Sequence, residues 1–194
     1  MAVEAGTDAL GLNFHPPSRR FVSIEKAREI VRALPEGFPT YAVVVDLSRA
    51  KIEEILRETG VSGVQFHGAE GPAQVEGWDV PVIRAVPANS QAAVLAELDR
   101  SESRDSGARL LVDSAAGGGS GVLVDPDLLE GCDLSAAVLA GGLTPGNVAA
   151  IVRRFRPFGV DCAGGVESEP GIKDPHLTRE FIGNAKSVDF STAR

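Results

Sequence analysis

Hydrophobic positions along the chain alternate between two patterns. Short runs rich in β-branched residues are followed by longer segments in which apolar residues recur every three or four positions. The first pattern is typical of a buried strand and the second of an amphipathic helix, so together they predict repeated βα units around a parallel sheet. Seven strands are predicted, at Ala9–Phe14, Tyr41–Asp46, Gly63–His67, Pro81–Val86, Arg109–Asp113, Ala137–Ala140 and Gly159–Cys162.

Helix boundaries are predicted from capping residues. Side-chain oxygens and prolines at the start of a helix satisfy or remove its unpaired N–H groups, and a glycine past its end adopts the left-handed conformation that stops it. Gly60 is such a stop. A short helix is predicted over 94–98, followed by a polar surface loop over 99–107. The predicted N-terminal signals are Ser23, Ser48, Thr144 with Pro145, and Asp174 with Pro175.

The predicted strands are one fewer than a closed barrel needs. Eight strands close the (βα)8 TIM barrel. Residues 2–6 resemble the last turn of a helix, with Gly6 as its stop. We therefore expect one domain over residues 1–194, a (βα)8 TIM barrel whose first strand is missing from this chain. The alternative is that the tail at Ser187–Ser191 pairs with the open edge.

Composition restricts the classes of function. A chain of 194 residues that is 43% hydrophobic suits a single domain, and its net charge of −8 argues against nucleic acid or an anionic membrane surface as a partner. No apolar run reaches the length of a membrane-spanning helix. Cys132 and Cys162 form neither a disulfide framework nor a metal-binding cluster. We expect a cytoplasmic protein, monomeric or homodimeric, that uses no metal.

Two glycine-rich strand ends are the strongest chemical signal. Residues 139–148 read Leu-Ala-Gly-Gly-Leu-Thr-Pro-Gly-Asn-Val, and residues 159–167 read Gly-Val-Asp-Cys-Ala-Gly-Gly-Val-Glu. Adjacent strand ends of this kind leave backbone N–H groups available to a phosphate. The segment 114–121 is a long flexible turn, either a lid or a connector. We therefore predict a phosphorylated small-molecule substrate, held by the amides of Gly141, Gly142, Gly164 and Gly165.

Six segments taken together resemble the phosphoribosylanthranilate isomerase family. Their order along the chain makes the resemblance specific, although each one is weak alone. They are residues 9–23 (Ala-Leu-Gly-Leu-Asn-Phe-His-Pro-Pro-Ser-Arg-Arg-Phe-Val-Ser), 64–68 (Val-Gln-Phe-His-Gly), 117–121 (Gly-Gly-Gly-Ser-Gly), 139–148, 159–161 with 165–167, and 170–174 (Pro-Gly-Ile-Lys-Asp).

The resemblance implies an activity and a set of roles. The family converts N-(5-phosphoribosyl)anthranilate into 1-(2-carboxyphenylamino)-1-deoxyribulose 5-phosphate by an Amadori rearrangement in tryptophan biosynthesis, without metal or cofactor. Its general acid falls on Asp125, although an aspartate before Pro126 is also a plausible helix N-cap. Arg20 falls on the partner of the anthranilate carboxylate. His67 and Asp161, at strand ends, are expected to bind substrate.

The chain departs from the family pattern at two places. Ala163 and Gly164 stand where the family usually has two serines, so weaker phosphate binding is expected. The family's general base is a cysteine in a Lys-Ile-Cys-Gly segment of the first strand, a segment this chain lacks, so impaired activity is expected. Strand alternation directs Cys162 away from Asp161, and Cys132 precedes its strand, so neither is expected to replace the base.

Two alternative functions remain open. One is an isomerase of a related aminoaldose phosphate, such as the bisphosphate substrate in histidine biosynthesis. That substrate needs a second phosphate site on the opposite side of the barrel mouth, and the absence of further glycine-rich strand ends there argues against it, as does Arg20, which suits a carboxylate. The other is a non-catalytic phosphosugar-binding remnant, which the missing base favours and which Asp125 and Arg20 argue against.

Overall fold

The computed structural model describes residues 1–102, 108–115 and 121–188. Seven strands follow one another in chain order in a single sheet, and the pairings from β1 to β4 and from β5 to β7 are parallel. All seven predicted strands are confirmed, the last two in shorter form. The strands are β1 (Leu10–Asn13), β2 (Thr40–Val44), β3 (Gly63–Phe66), β4 (Val82–Ala88), β5 (Arg109–Ser114), β6 (Val138–Leu139) and β7 (Gly159–Val160).

The helices begin mostly where capping residues predict them. Ser23 and Ser48 accept hydrogen bonds from the amides of Lys26 and Lys51, and Gly60 ends its helix with φ +75°. Asp174 likewise caps the last helix. The helices are α1 (Ile24–Arg32), α2 (Arg49–Thr59), α3 (Pro72–Val75), α4 (Gln91–Glu102), α5 (Val148–Phe155) and α6 (Pro175–Lys186).

Two helix predictions were wrong at their boundaries. The helix expected to open at Thr144 and Pro145 begins at Val148, because the Asn147 side chain accepts the Thr144 amide at 2.8 Å and holds these residues in a turn. Helix α4 continues through residues 99–102, which the sequence assigned to a loop. Those residues are polar and show no apolar period, so the sequence pattern did not distinguish the last turn of a helix from a surface loop. The rest of that loop, 103–107, lies outside the described residues.

Several short elements were missed. Helix α3 has four residues, Pro126–Leu129 and Gly164–Val166 each form a 3-10 turn, and Glu167–Glu169 (β8) pairs antiparallel with Ile172–Lys173 (β9). Each is too short to show a hydrophobic period. The β8–β9 hairpin matters for the site because it directly follows the second glycine-rich turn.

The residues group into two compact units. One contains 7–85 with Ala108 and packs around Val44, Val64 and Phe66 from its strands. The other contains 1–6, 86–102, 109–115 and 121–188, with a core around Val112 and Leu139. The expectation of a single domain stays a prediction.

The residues before β1 have the predicted helical-turn character. The amide of Ala5 donates to the Met1 carbonyl at 3.0 Å, and Gly6 has φ +92°. The Lys186 ammonium donates to the Gly6 carbonyl at 2.6 Å. The expectation of a missing first strand is not confirmed. Of the tail proposed for the open edge, Val188 packs partly buried against the core of its own unit, and residues from 189 onward lie outside the described ranges.

None of the described helices is both long enough and apolar enough to cross a lipid bilayer.

Candidate functional site

The two glycine-rich turns lie side by side at the carboxyl edge of the sheet. Strands β6 and β7 pair in parallel with Leu139 opposite Val160, and the amide of Asp161 donates to the Leu139 carbonyl at 2.9 Å. The turn after β6, residues 140–143, is therefore adjacent to the turn after β7, residues 161–166. We call these the first and second glycine turns. The sequence prediction that the two strand ends are neighbours is confirmed.

The glycine turns touch each other through Leu143. The Cys162 thiol donates to the Leu143 carbonyl at 3.1 Å. The Cα of Gly165 packs against the same carbonyl so closely that an added Cβ would stand 1.9 Å from its oxygen. Because no side chain fits in that space, only glycine allows the two turns to approach in this way.

The first glycine turn is equally restricted. Gly141 and Gly142 have φ values of +85° and +61°, and a Cβ on either would meet neighbouring backbone, at 2.7 Å from the Ser114 nitrogen and 2.3 Å from the Leu123 nitrogen respectively. The chain that follows residue 121 therefore lies directly against Gly142. Both glycines are required by conformation and by space.

Side chains bind the carbonyls of the glycine turns. The Asn147 amide group donates to the Gly142 carbonyl at 3.0 Å, and the Lys173 ammonium donates to the Ala163 carbonyl at 2.6 Å. Among the described residues, no acceptor takes the backbone N–H groups of Gly141, Gly142 or Gly164. These amides are therefore available to an anion. The Gly165 amide differs, because it donates toward the Cys162 sulfur.

Asp125 lies on the segment that follows the contact with Gly142. It is exposed, and its Oδ1 accepts the Asp127 amide at 3.0 Å as the N-cap of the 3-10 turn. The capping role that the sequence left open is therefore real. A cap does not exclude acid catalysis, and the general-acid role stays a prediction.

The two cysteines do not have the character of a base. Burial, and secondarily the Asp161 carboxylate, raise the pKa of the Cys162 thiol to about 11. Its side chain packs against the core while Asp161 is exposed, as strand alternation predicts. Burial also raises the pKa of Cys132. At neutral pH both are protonated thiols, so neither is poised to remove a carbon-bound proton.

The remaining predicted residues belong to the other compact unit. Arg20 is half-buried in the turn after β1, where its amide donates to the Ser18 hydroxyl at 3.1 Å, and Arg19 is exposed. His67 directly follows β3, its amide bonded to the Val44 carbonyl at 2.9 Å. The His67 Nδ1 lies 3.3 Å from the buried Gln65 side-chain amide. A hydrogen-bonded ring at a strand end has a fixed orientation.

Sequence reasoning missed a carboxylate-built turn near His67. Glu70 is only 6% exposed, and its two oxygens accept the Asp46 amide at 2.7 Å and the Gly68 amide at 2.8 Å. Asp46 has φ +49° and accepts the Ala69 amide on its Oδ1 at 2.8 Å. An acid three residues past a predicted strand, in His-Gly-Ala-Glu, was the available signal.

No group of three or more histidine, cysteine or acidic side chains within the described ranges is arranged to hold a metal ion.

The fold and the paired glycine turns define a class. Repeated βα units, with parallel strands that end in amide-presenting turns, are those of TIM-barrel-like α/β proteins. Residues 1–184 match the family model described as N-(5'-phosphoribosyl)anthranilate isomerase. The chain belongs to this family.

Similar proteins agree with this membership. The N-(5'-phosphoribosyl)anthranilate isomerase of Myxococcus xanthus is 41% identical over 192 residues, which cover 97% of this chain and 91% of that protein. A crystal structure of monomers generated from the dimeric isomerase of Thermotoga maritima has a TM-score of 0.80 at 31% identity. An isomerase in complex with reduced 1-(o-carboxyphenylamino)-1-deoxyribulose 5-phosphate has a TM-score of 0.81 at 32% identity. Each structural match covers 96% of this chain and 91% of the other.

These matches do not bear out the impaired activity expected from the absent cysteine segment. They extend over nearly all of the chain and most of each relative.

Proposed function

We propose that this protein catalyses the Amadori rearrangement of N-(5-phosphoribosyl)anthranilate to 1-(2-carboxyphenylamino)-1-deoxyribulose 5-phosphate in tryptophan biosynthesis. One observation carries the proposal: a family member is crystallised with the reduced form of this product and matches 96% of the chain. The glycine turns suit the 5-phosphate that substrate and product share. We extend the proposal to a complete (βα)8 barrel and to a cytoplasmic enzyme, monomeric or homodimeric.

Phosphate binding is the part of the proposal with the most geometric support. The amides of Gly141, Gly142 and Gly164 come from neighbouring turns and have no protein acceptor among the described residues. Phosphate oxygens accept several such N–H groups at once, which compensates for the serine hydroxyls absent at 163 and 164. The Gly165 amide contributes less, because it is directed at the Cys162 sulfur.

Asp125 is proposed as the acid that protonates the ribose ring oxygen while the ring opens. A carboxyl group does this only if it carries a proton in the bound state, which desolvation by the bound substrate would favour. The Asp127 amide at Oδ1 leaves the second carboxyl oxygen to hold that proton. The cap therefore orients the acid as well as the turn.

Three further residues are proposed to hold the remainder of the substrate. The Arg20 guanidinium matches the planar anthranilate carboxylate with two parallel hydrogen bonds. Asp161, exposed directly after β7, is proposed to bind sugar hydroxyls or the secondary amine. The His67 ring, oriented by Gln65, binds substrate at the end of β3.

Ring opening gives an imine between C1 and the anthranilate nitrogen, and removal of the C2 proton then gives an enolamine that tautomerises to the ketose. Burial raises the pKa of both cysteine thiols, which disfavours Cys132 and Cys162 as acceptors of the C2 proton. The acid step at Asp125 is the one that this chain's described residues support.

A related bisphosphorylated aminoaldose is the second candidate substrate. It would need a second set of available amides, and in the turns after β2 and β3 the amides of Asp46, Gly68 and Ala69 are already bound to carboxylates. This observation favours the monophosphorylated anthranilate substrate.

Turnover of freshly generated phosphoribosylanthranilate, followed by loss of its fluorescence, tests the proposal. We expect turnover by the purified chain, with no turnover of the bisphosphorylated aminoaldose. Binding of the phosphorylated ligand without turnover would instead identify a phosphosugar-binding remnant.

A further inference from the structure

Lys173 lies in strand β9, directly beyond the second glycine turn. Its ammonium donates to the Ala163 carbonyl at 2.6 Å and to the Glu167 carboxylate at 2.9 Å. The Glu167 side chain is 4% exposed, whereas that of Lys173 is 38% exposed. The buried carboxylate thus holds the ammonium in place against the carbonyl, and the ammonium keeps contact with water.

The contact with Lys173 fixes the orientation of the peptide group between Ala163 and Gly164. A trans peptide is planar, and its C=O and N–H point opposite ways. Because the Ala163 oxygen is drawn to Lys173, the Gly164 N–H is directed away from the lysine, and no described acceptor takes it. The β8–β9 hairpin therefore sets the direction of an amide that the proposed function assigns to the phosphate.

A side chain also binds a backbone carbonyl in the first glycine turn. Asn147 holds the Gly142 carbonyl at 3.0 Å, which directs the following N–H, that of Leu143, the opposite way. In both turns a side chain from a later element binds the carbonyl and leaves the amide available. The Leu143 amide is not among those that the proposed function assigns to phosphate, so only in the second turn does the bound carbonyl direct an assigned amide.

We propose that Lys173 is a positioning residue for substrate phosphate, acting through the Ala163–Gly164 peptide, with Glu167 fixing the lysine. The inference rests on the proposed function, since it assumes that phosphate occupies the glycine turns. Lys173 touches the peptide carbonyl and not the reacting atoms, so its effect falls on phosphate affinity and KM more than on kcat.

The test compares Lys173→Met with Lys186→Met in the full chain. Lys186 is a matched control, because its ammonium also donates to a backbone carbonyl at 2.6 Å, that of Gly6, in the same compact unit. The probe is inorganic phosphate as a competitive inhibitor of turnover, with KM and kcat for phosphoribosylanthranilate measured alongside. We expect Lys173→Met to weaken phosphate inhibition about tenfold, as loss of a charge-assisted contact implies. KM should rise in parallel and kcat should change less.

Three further results decide the inference. Lys186→Met should leave phosphate inhibition unchanged, and Lys173→Arg, which keeps donor and charge, should recover part of the loss. If Lys173→Met and Lys186→Met lower Tm equally and neither changes phosphate inhibition, Lys173 is merely structural. If wild-type protein neither turns over the substrate nor responds to phosphate, the proposed function itself has failed.

Glu167→Gln separates positioning from direct binding. If Lys173 aims the peptide, removing the carboxylate loosens the lysine, and phosphate inhibition weakens or stays equal. If Lys173 binds phosphate itself, the freed ammonium would bind it more tightly. Stronger inhibition in Glu167→Gln would overturn the positioning role.

Discussion

Two pairs of turns connect parallel strands to the elements that follow them, one pair after β6 and β7 and the other after β2 and β3. Side chains bind the backbone carbonyls in the first pair and the backbone amides in the second. After β2 and β3, the Glu70 and Asp46 carboxylates accept backbone amides. After β6 and β7, Asn147, Lys173 and Cys162 donate to backbone carbonyls, and glycine backbone packs closely against its neighbours. The arrangement after β2 and β3 occupies backbone N–H groups, whereas the one after β6 and β7 leaves those of Gly141, Gly142 and Gly164 without an acceptor among the described residues.

This difference separates a structural turn from an anion site. Negative charge inside a turn satisfies its amides and repels a phosphate, whereas a turn held by its carbonyls presents unsatisfied N–H dipoles. Glycine content alone does not make this distinction, since Gly68 lies in the carboxylate-built turn. The two kinds of turn are distinguished by whether side chains bind the backbone N–H groups or the backbone carbonyls.

Substitution at Gly165 should break the glycine-built turns most severely. In Gly165→Ala the new Cβ would stand 1.9 Å from the Leu143 oxygen, against backbone that cannot rotate away. We expect loss of at least about 3 kcal/mol in the free energy of unfolding and loss of turnover. Urea titration and the fluorescence assay measure the two effects.

Gly183→Ala is the matched control for Gly165. Gly183 lies inside α6, and nothing stands within 4 Å of its added Cβ. We expect stabilisation of about 0.5–1 kcal/mol with unchanged turnover. Equal behaviour of the two alanine variants would contradict the packing argument.

Glu70→Ala should break the carboxylate-built turn. The change leaves the Asp46 and Gly68 amides without their acceptor in a buried place, at a cost of about 2–4 kcal/mol in unfolding free energy. Under conditions where the variant is folded, inorganic phosphate should inhibit it as it does the wild type. Selective loss of phosphate inhibition would show that the two sets of turns do not differ as described.

The raised pKa of Cys162 gives a pH test of the contact between the glycine turns. The folded protein holds the thiol proton up to about pH 11, whereas the unfolded chain releases it near the ordinary value of 9.0. The folded state therefore binds more protons between these values, so stability is fully present below pH 9 and falls as pH rises toward 11. A difference of two units between the folded and unfolded pKa of this thiol corresponds to about 2–3 kcal/mol in the free energy of unfolding.

Cys162→Ala isolates that contribution, because other groups titrate in both proteins. The difference in unfolding free energy between wild type and Cys162→Ala should shrink from pH 8.5 to pH 11. A constant difference would mean that the thiol is not desolvated in the folded state.

The smallest effects are expected at Asp46. Asn tolerates the left-handed conformation and keeps the acceptor for Ala69, so Asp46→Asn should change stability by less than about 0.5 kcal/mol. Asp46→Ala loses both the tolerance of the left-handed conformation and the acceptor for the Ala69 amide, and should lower the free energy of unfolding by about 1–2 kcal/mol. Thermal unfolding of the pair measures this, and a larger loss in Asp46→Asn would show that charge, and not conformation, dominates there.

Local signals predicted much of this fold. Ser23, Ser48 and Asp174 were predicted as caps from a single residue placed before an apolar stripe, since the cap bond spans only two or three residues. The glycine turns were predictable for a similar reason. Paired glycines after an apolar run indicate a turn, which has positive φ at Gly141 and Gly142, and parallel pairing brings consecutive strand ends together.

Long-range contacts between polar groups were not predictable. The bond from Lys173 to Ala163 depends on the short β8–β9 hairpin, whose strands are too short to show alternation. The hydrogen bond from the Asp46 amide to Glu70 joins residues 24 apart in sequence. Asn147 delayed the start of α5 because its side chain closes a local turn that competes with the helix. The spacing of residues in the sequence does not indicate which backbone group such a side chain binds.

The most direct test of the account is turnover of phosphoribosylanthranilate by wild type, Asp125→Asn and Asp127→Asn. Asparagine keeps the capping oxygen and removes the transferable proton, and Asp127 is an exposed acid on the same 3-10 turn. The account predicts that Asp125→Asn folds normally and loses about 10²–10⁴ in kcat, while Asp127→Asn stays near wild type. Undiminished turnover in Asp125→Asn would contradict the assignment of the acid.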